Sequence, residues 1–138
     1  MRCNIEYMAF DAQTPARPDF DLIRARLSGD AEAEARAASS LHERPGRAAG
    51  RVAAWSLGRA AEIIARHARR PVRLGEEAAP ATVQERQILM ILDAIAQGDD
   101  ALARDGARFL VQPNAVKRLI ERLTPASRAV AGLKASAA

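Results

Sequence analysis

Between residues 48 and 70, apolar side chains return at helical spacing. Val52, Ala53, Leu57, Ala60, Ala61, Ile63, Ile64 and Ala68 share one broad arc when the chain turns about 100° per residue. Trp55 falls about 60° or more outside that arc, in line with Arg51, Arg59, Glu62 and Arg66. Pro71 marks the stop. A second strong pattern covers 83–97. Thr82 and Glu85 stand three apart, the spacing of a capping box, in which each side chain satisfies the other's free backbone amide. Ile88, Leu89, Met90, Ile91, Leu92 and Ile95 then wrap most of the circumference, leaving a thin polar line of Arg86, Asp93 and Gln97. That distribution predicts a central helix nearly surrounded by others.

The remaining elements are weaker. Asp19 is placed to cap a short helix carrying Leu22, Ile23 and Leu27, which Ser28 and Gly29 interrupt. Asp30 opens a segment of high helix propensity with almost no large apolar side chains, a helix with little to anchor it, ended by the proline turn at 44–47. Gly98 closes the helix 83–97, Asp99 or Asp100 caps a helix over 100–111, and Pro113 or Asn114 starts one over 114–123. Leu102, Phe109, Leu110, Val116, Leu119, Ile120 and Leu123 complete the predicted core. Pro15 and Pro18 discourage a continuous helix at the start, and little apolar surface follows Pro125. The pattern therefore predicts an all-α, single-domain bundle of five or six helices. An N-terminal arm over 1–18 precedes the helical domain of 19–125, and a flexible tail covers 126–138.

Composition refines this picture. The chain has 138 residues, the size of one ordinary domain, and aromatic residues make up only 4% of it. Its core must come from small and aliphatic side chains, which suits closely packed helices. Of 21 basic residues only Lys117 and Lys134 are lysines. Together with abundant alanine, that bias matches a GC-rich bacterial coding style. Net charge is +4, a mild hint of an anionic partner. Its distribution is uneven: residues 1–43 carry −3, 44–75 carry +7, 76–105 carry −5 and 106–138 carry +5. Blocks of opposite sign neutralise one another when helices pack.

The single cysteine, Cys3, excludes an internal disulfide, and no apolar run approaches the roughly 20 residues needed to span a bilayer. A cytoplasmic protein with no membrane contact is expected. With two histidines, His42 and His67, and no nucleophile elbow, zinc-protease motif or phosphate loop, the chain offers no catalytic, cofactor-binding or metal-binding constellation. The acidic pair Asp99 and Asp100 sits where a helix N-cap belongs. A helix-turn-helix register on Gly98 puts Asp93 and Arg104 at positions that must be apolar, and one on Gly106 does the same to Asp105 and Gln112. No enzyme and no standard DNA-reading motif is expected.

Binding remains. Trp55 is flanked at four residues' distance by Arg51 and Arg59, whose guanidinium planes are placed to stack on the indole. With Arg66, Arg69 and Arg70 these make a basic, aromatic helix face suited to an acidic protein partner, and the expected function is that of a small regulatory or adaptor protein. Nonspecific nucleic-acid binding through the same face is the alternative. A third reading is a homodimer through Gly50, Ala54 and Gly58, which recur every fourth residue and invite a helix to approach closely.

Overall fold

A computed structural model describes residues 17–43, 47–75 and 81–137. The described chain is all-α, with six helices and no strand. They are α1 (Pro18–Ser28), α2 (Ala31–Glu43), α3 (Arg47–His67), α4 (Val83–Ala96), α5 (Asp100–Leu110) and α6 (Val116–Ala137), the last preceded by a 3-10 turn over Pro113–Ala115. The arm expected over 1–18 lies outside the described residues except for Arg17 and Pro18.

Two layers meet along α3 and α6. On one side α1 and α2 pack on each other and on α3; on the other, the hairpin of α4 and α5 packs on α6, and α3 lies along α6. Buried Leu57, Ala60, Ala61 and Ile64 of α3 share a single core with Ile88, Ile91 and Leu92 of α4 and with Leu119 and Leu123 of α6. Where helices come closest, the sequence supplies glycine. A Cβ on Gly50 would lie 2.4 Å from the Leu41 carbonyl oxygen and 2.6 Å from the His42 Cα, so α3 crosses α2 backbone to backbone. On Gly106 it would meet Met90 and Ile91 of α4, each at 2.9 Å.

Capping chemistry follows the expected residues at three helices. The Thr82 side chain accepts from the Glu85 amide at 3.1 Å while a Glu85 carboxylate oxygen accepts from the Thr82 amide at 2.9 Å, closing the box at the start of α4. Asp99 accepts from the Leu102 amide at 3.1 Å, and Asp30 from the Ala33 amide at 3.0 Å. At α1 the cap differs from expectation. Arg17 is the N-cap and Pro18 fills the first turn, where its missing N–H costs nothing. Asp19 turns inward instead, 1% exposed, with Arg17 at 3.2 Å. Arg17 also reaches Asp93 of α4 at 3.0 Å. Burial opposes its charge, yet Asp19 and then Asp93 outweigh that and hold the guanidinium above the usual arginine range.

Glu85 ties the two layers together. Only 2% exposed, its carboxylate accepts from the backbone amide of Gly75 at 3.0 Å as well as from Thr82, and lies 3.1 Å from the Arg24 Nε of α1. Arg24 in turn donates to the Gly75 carbonyl. One side chain thus anchors a helix start, the connector before it and a helix of the opposite layer.

Four expectations are corrected. Helix α4 is not surrounded: Ile88, Ile91, Leu92 and Ile95 are buried, whereas Met90 is exposed, because α5 and α6 cover one side and α1 only touches it. Leu102 and Phe109 are not core residues but exposed ones, since α5 turns Ala103, Gly106, Ala107 and Leu110 inward. Val52 is likewise exposed at the edge of the α3 arc. The last helix does not stop at Leu123 but runs through Pro125 to Ala137. Proline removes one ladder hydrogen bond there. Buried Ala126 and Ser127 hold the next turn in place, and the Thr124 hydroxyl donates to the Ile120 carbonyl at 2.7 Å. The backbone of the expected tail is therefore helical as far as it is described.

Two substitutions test this arrangement. Glu85→Ala is expected to lower unfolding free energy by about 3 kcal/mol in urea titrations, at the lower end for a broken buried pair because Arg24 keeps partial solvent access, with Glu85→Gln losing less. Gly50→Ala should destabilise by about 1 to 3 kcal/mol despite alanine's helix preference of about 1 kcal/mol, because the clash is with backbone atoms that have nowhere to move.

Candidate basic groove beside Trp55

Because the apolar arc of α3 faces the core, Trp55 is turned outward and is 58% exposed. Its ring is met by an arginine, though not by either neighbour on its own helix. The guanidinium carbon of Arg122, on α6, stands 4.9 Å from the ring centroid. Such an exposed cation–π contact contributes about 0.5 to 1 kcal/mol, enough to orient both side chains. The expected stacking of Arg51 and Arg59 is thus replaced: Arg59 is drawn to Glu62 at 3.1 Å, one turn further along.

The two helices run antiparallel here, with Arg122 over Trp55 and Arg118 beside His67, Nη2 to Nε2 at 3.5 Å. Between them lies a groove of about 160 Å³ lined by Arg59, Glu62, Ile63, Arg66, His67, Arg118, Glu121 and Arg122. Arg66, Arg118 and Arg122 form no salt bridge among the described residues. Glu62 is shared with Arg26 of α1 at 2.8 Å, and Arg26 also reaches Glu34 of α2 at 3.3 Å. Those carboxylates, Glu34 first and Glu62 next, raise the Arg26 pKa above its usual value.

On its other side Trp55 borders a second hollow, about 340 Å³, between α1, α2 and α3. Leu22, Ala38, Ala54 and Gly58 supply an apolar lining there, and Arg26, Glu34 and His42 a polar one. The indole lines the partly apolar hollow and meets the basic groove through Arg122, which lines that groove and stands over the ring.

Comparison with protein-family models, curated proteins and solved structures finds no match for this chain. Function has to be read from geometry.

Of the expected contact residues, Arg59 and Arg66 line the basic groove, Trp55 lines the neighbouring hollow and touches the groove's Arg122, and Arg51 is exposed on the same helix. Arg69 does not join them. Its Nε donates to the Val111 carbonyl at 3.1 Å and to that of Arg108, while its amide donates to the Leu110 carbonyl at 3.0 Å, so it caps the end of α5. Arg70 is exposed beyond the end of α3. The small-residue stripe is also taken up within the chain: Gly50 abuts Leu41 and His42, Ala54 packs against the core and Gly58 is buried. A second copy would reach Gly50 only by displacing α2.

Arg118, His67 and Arg122 went unassigned to the site from sequence, although Arg118 and Arg122 lie four apart on the polar side of "VKRLIERL". Only the packing of α6 on α3 sets Arg122 over Trp55 and Arg118 beside His67. Among the described residues no helix is long and apolar enough to cross a membrane.

Arg122→Ala is expected to alter Trp55 emission and to increase its quenching by a cationic quencher, with the melting temperature almost unchanged. An unaltered spectrum would show that the stack does not persist in solution.

Proposed function

We propose that the protein is a small regulatory or adaptor protein that docks on an acidic, amphipathic segment of another protein through Trp55 and the groove between α3 and α6. The observation that carries this reading is the half-exposed indole stacked by Arg122, which also lines a groove with Arg66 and Arg118, all three without a salt bridge among the described residues. Aromatic and arginine side chains together are the residues that anchor protein interfaces, the ring by desolvated area and the guanidinium by directional bonds to carboxylates. The adjoining hollow adds an apolar lining that an amphipathic helix can use.

Glu62 and Glu121 favour a protein over a nucleic acid. Both line the basic groove, so positive charge is broken at intervals. Discrete carboxylates of a peptide fit such a pattern, whereas a continuous phosphate backbone is repelled at two points. Stacking of a base on Trp55 keeps nucleic-acid binding as the second reading.

Titration with a helical peptide of glutamate and leucine should shift Trp55 fluorescence, and Trp55→Ala or Arg122→Ala should weaken binding at least tenfold as measured by calorimetry. A single-stranded oligonucleotide should bind weakly at low salt. Tight oligonucleotide binding with a salt slope of about 0.7 log units per neutralised phosphate would transfer the site to nucleic acid.

A further inference from the structure

The groove between α3 and α6 carries more positive charge than its own carboxylates answer. Arg59 is engaged by Glu62 at 3.1 Å, and Arg26 of α1 holds the same carboxylate at 2.8 Å. Arg66, Arg118 and Arg122 form no salt bridge among the described residues. Four arginines and two glutamates line the groove, a surplus of two positive charges apart from His67. The N–H donors of the three free guanidinium groups are hardly used. Arg122 stands over the Trp55 ring, a contact that supplies no acceptor oxygen. Arg118 has only His67 Nε2 at 3.5 Å, a long contact that takes at most one of its five N–H groups. The hollow among these side chains measures about 160 Å³.

One carboxylate brings two oxygens and a single charge to such a hollow. A phosphate monoester brings three acceptor oxygens and about two negative charges, which matches both the three free guanidinium groups and the surplus. Being a single point of charge, it also avoids the glutamates that a phosphate backbone would meet. The hollow on the other side of Trp55, lined in part by Leu22, Ala54 and Gly58, then seats apolar residues of the same segment.

Resting on the docking role proposed above, we infer that the docked segment is phosphorylated, and that its phosphoserine or phosphothreonine enters the groove between α3 and α6 to accept hydrogen bonds from Arg66, Arg118 and Arg122. The phosphate replaces His67 as the acceptor for Arg118. Docking is therefore strong with a phosphorylated partner and weak with the same partner bearing a plain hydroxyl.

Calorimetry on the full chain tests this with a helical peptide of glutamate and leucine carrying one phosphoserine and the same peptide carrying serine. The phosphopeptide should bind at least about tenfold tighter. Arg66→Ala and Arg118→Ala should each reduce that preference to about threefold or less, while Arg86→Ala, an exposed charge removed from α4, leaves it intact. Arg66 and Arg118 are exposed, so circular dichroism of their variants should match wild type. In NMR spectra the ring signals of His67 should move with the phosphopeptide and stay in place with the serine peptide. Equal affinity for the two peptides overturns the inference and leaves docking through carboxylates standing. Binding of neither peptide removes the docking role and the inference with it. A preference that survives loss of both Arg66 and Arg118 overturns the assignment of the phosphate to this groove.

Discussion

Everything in the fold turns on how the carboxylate of Glu85 is satisfied. A buried charge is tolerated only when its lone pairs are occupied and a counterion stands close by. Here two backbone amides and the Arg24 guanidinium meet that requirement, and they come from three separate parts of the chain. The same atoms that cap α4 therefore hold the connector from α3 and dock α1 against the opposite layer. Arg17 with Asp19 and Asp93 makes a second tie between α1 and α4. Helix α1 buries Pro18, Leu22, Ile23 and Ala25, and these polar links add direction to that apolar contact.

The rest of the core is governed by small side chains. Ala53, Ala60, Ala61, Ala103, Ala107 and Ala115 are buried, and glycine stands at two of the closest crossings. Helices that approach this nearly leave no space for an indole or a phenyl ring. Trp55 and Phe109 are consequently left on the outside, on different faces. The composition that makes the core tight leaves Trp55 and Phe109 exposed, while Phe20 packs partly buried at the edge of the core.

Electrostatics then distinguishes those faces. In the groove that meets Trp55 through Arg122, four arginines face two glutamates. On the helix of Phe109, by contrast, Asp105 is paired with Arg108 at 3.1 Å. Helix α6 supplies half of the groove's contrast, Arg118 and Arg122 against Glu121, from more than fifty residues away along the chain.

Local signals were legible in the sequence. Thr82 with Glu85, Asp99 and Asp30 cap their helices as their spacing implies, since capping depends on three or four consecutive residues and little else. The position of Trp55 outside the apolar arc of α3 was legible too, but whether another helix folds over it was decided only by packing. Tertiary structure decided the remainder. Periodicity identifies a face that can be buried but not whether enough helices exist to cover it, and so Leu102, Phe109 and Met90 read as core residues yet stand in solvent. Nor can propensity weigh a lost hydrogen bond at Pro125 against the burial of Ala126 and Ser127, and the helix continues. The partner of the indole was invisible for the same reason: which arginine reaches Trp55 depends on the packing of α6 against α3, a contact between segments whose separation along the chain carries no local trace.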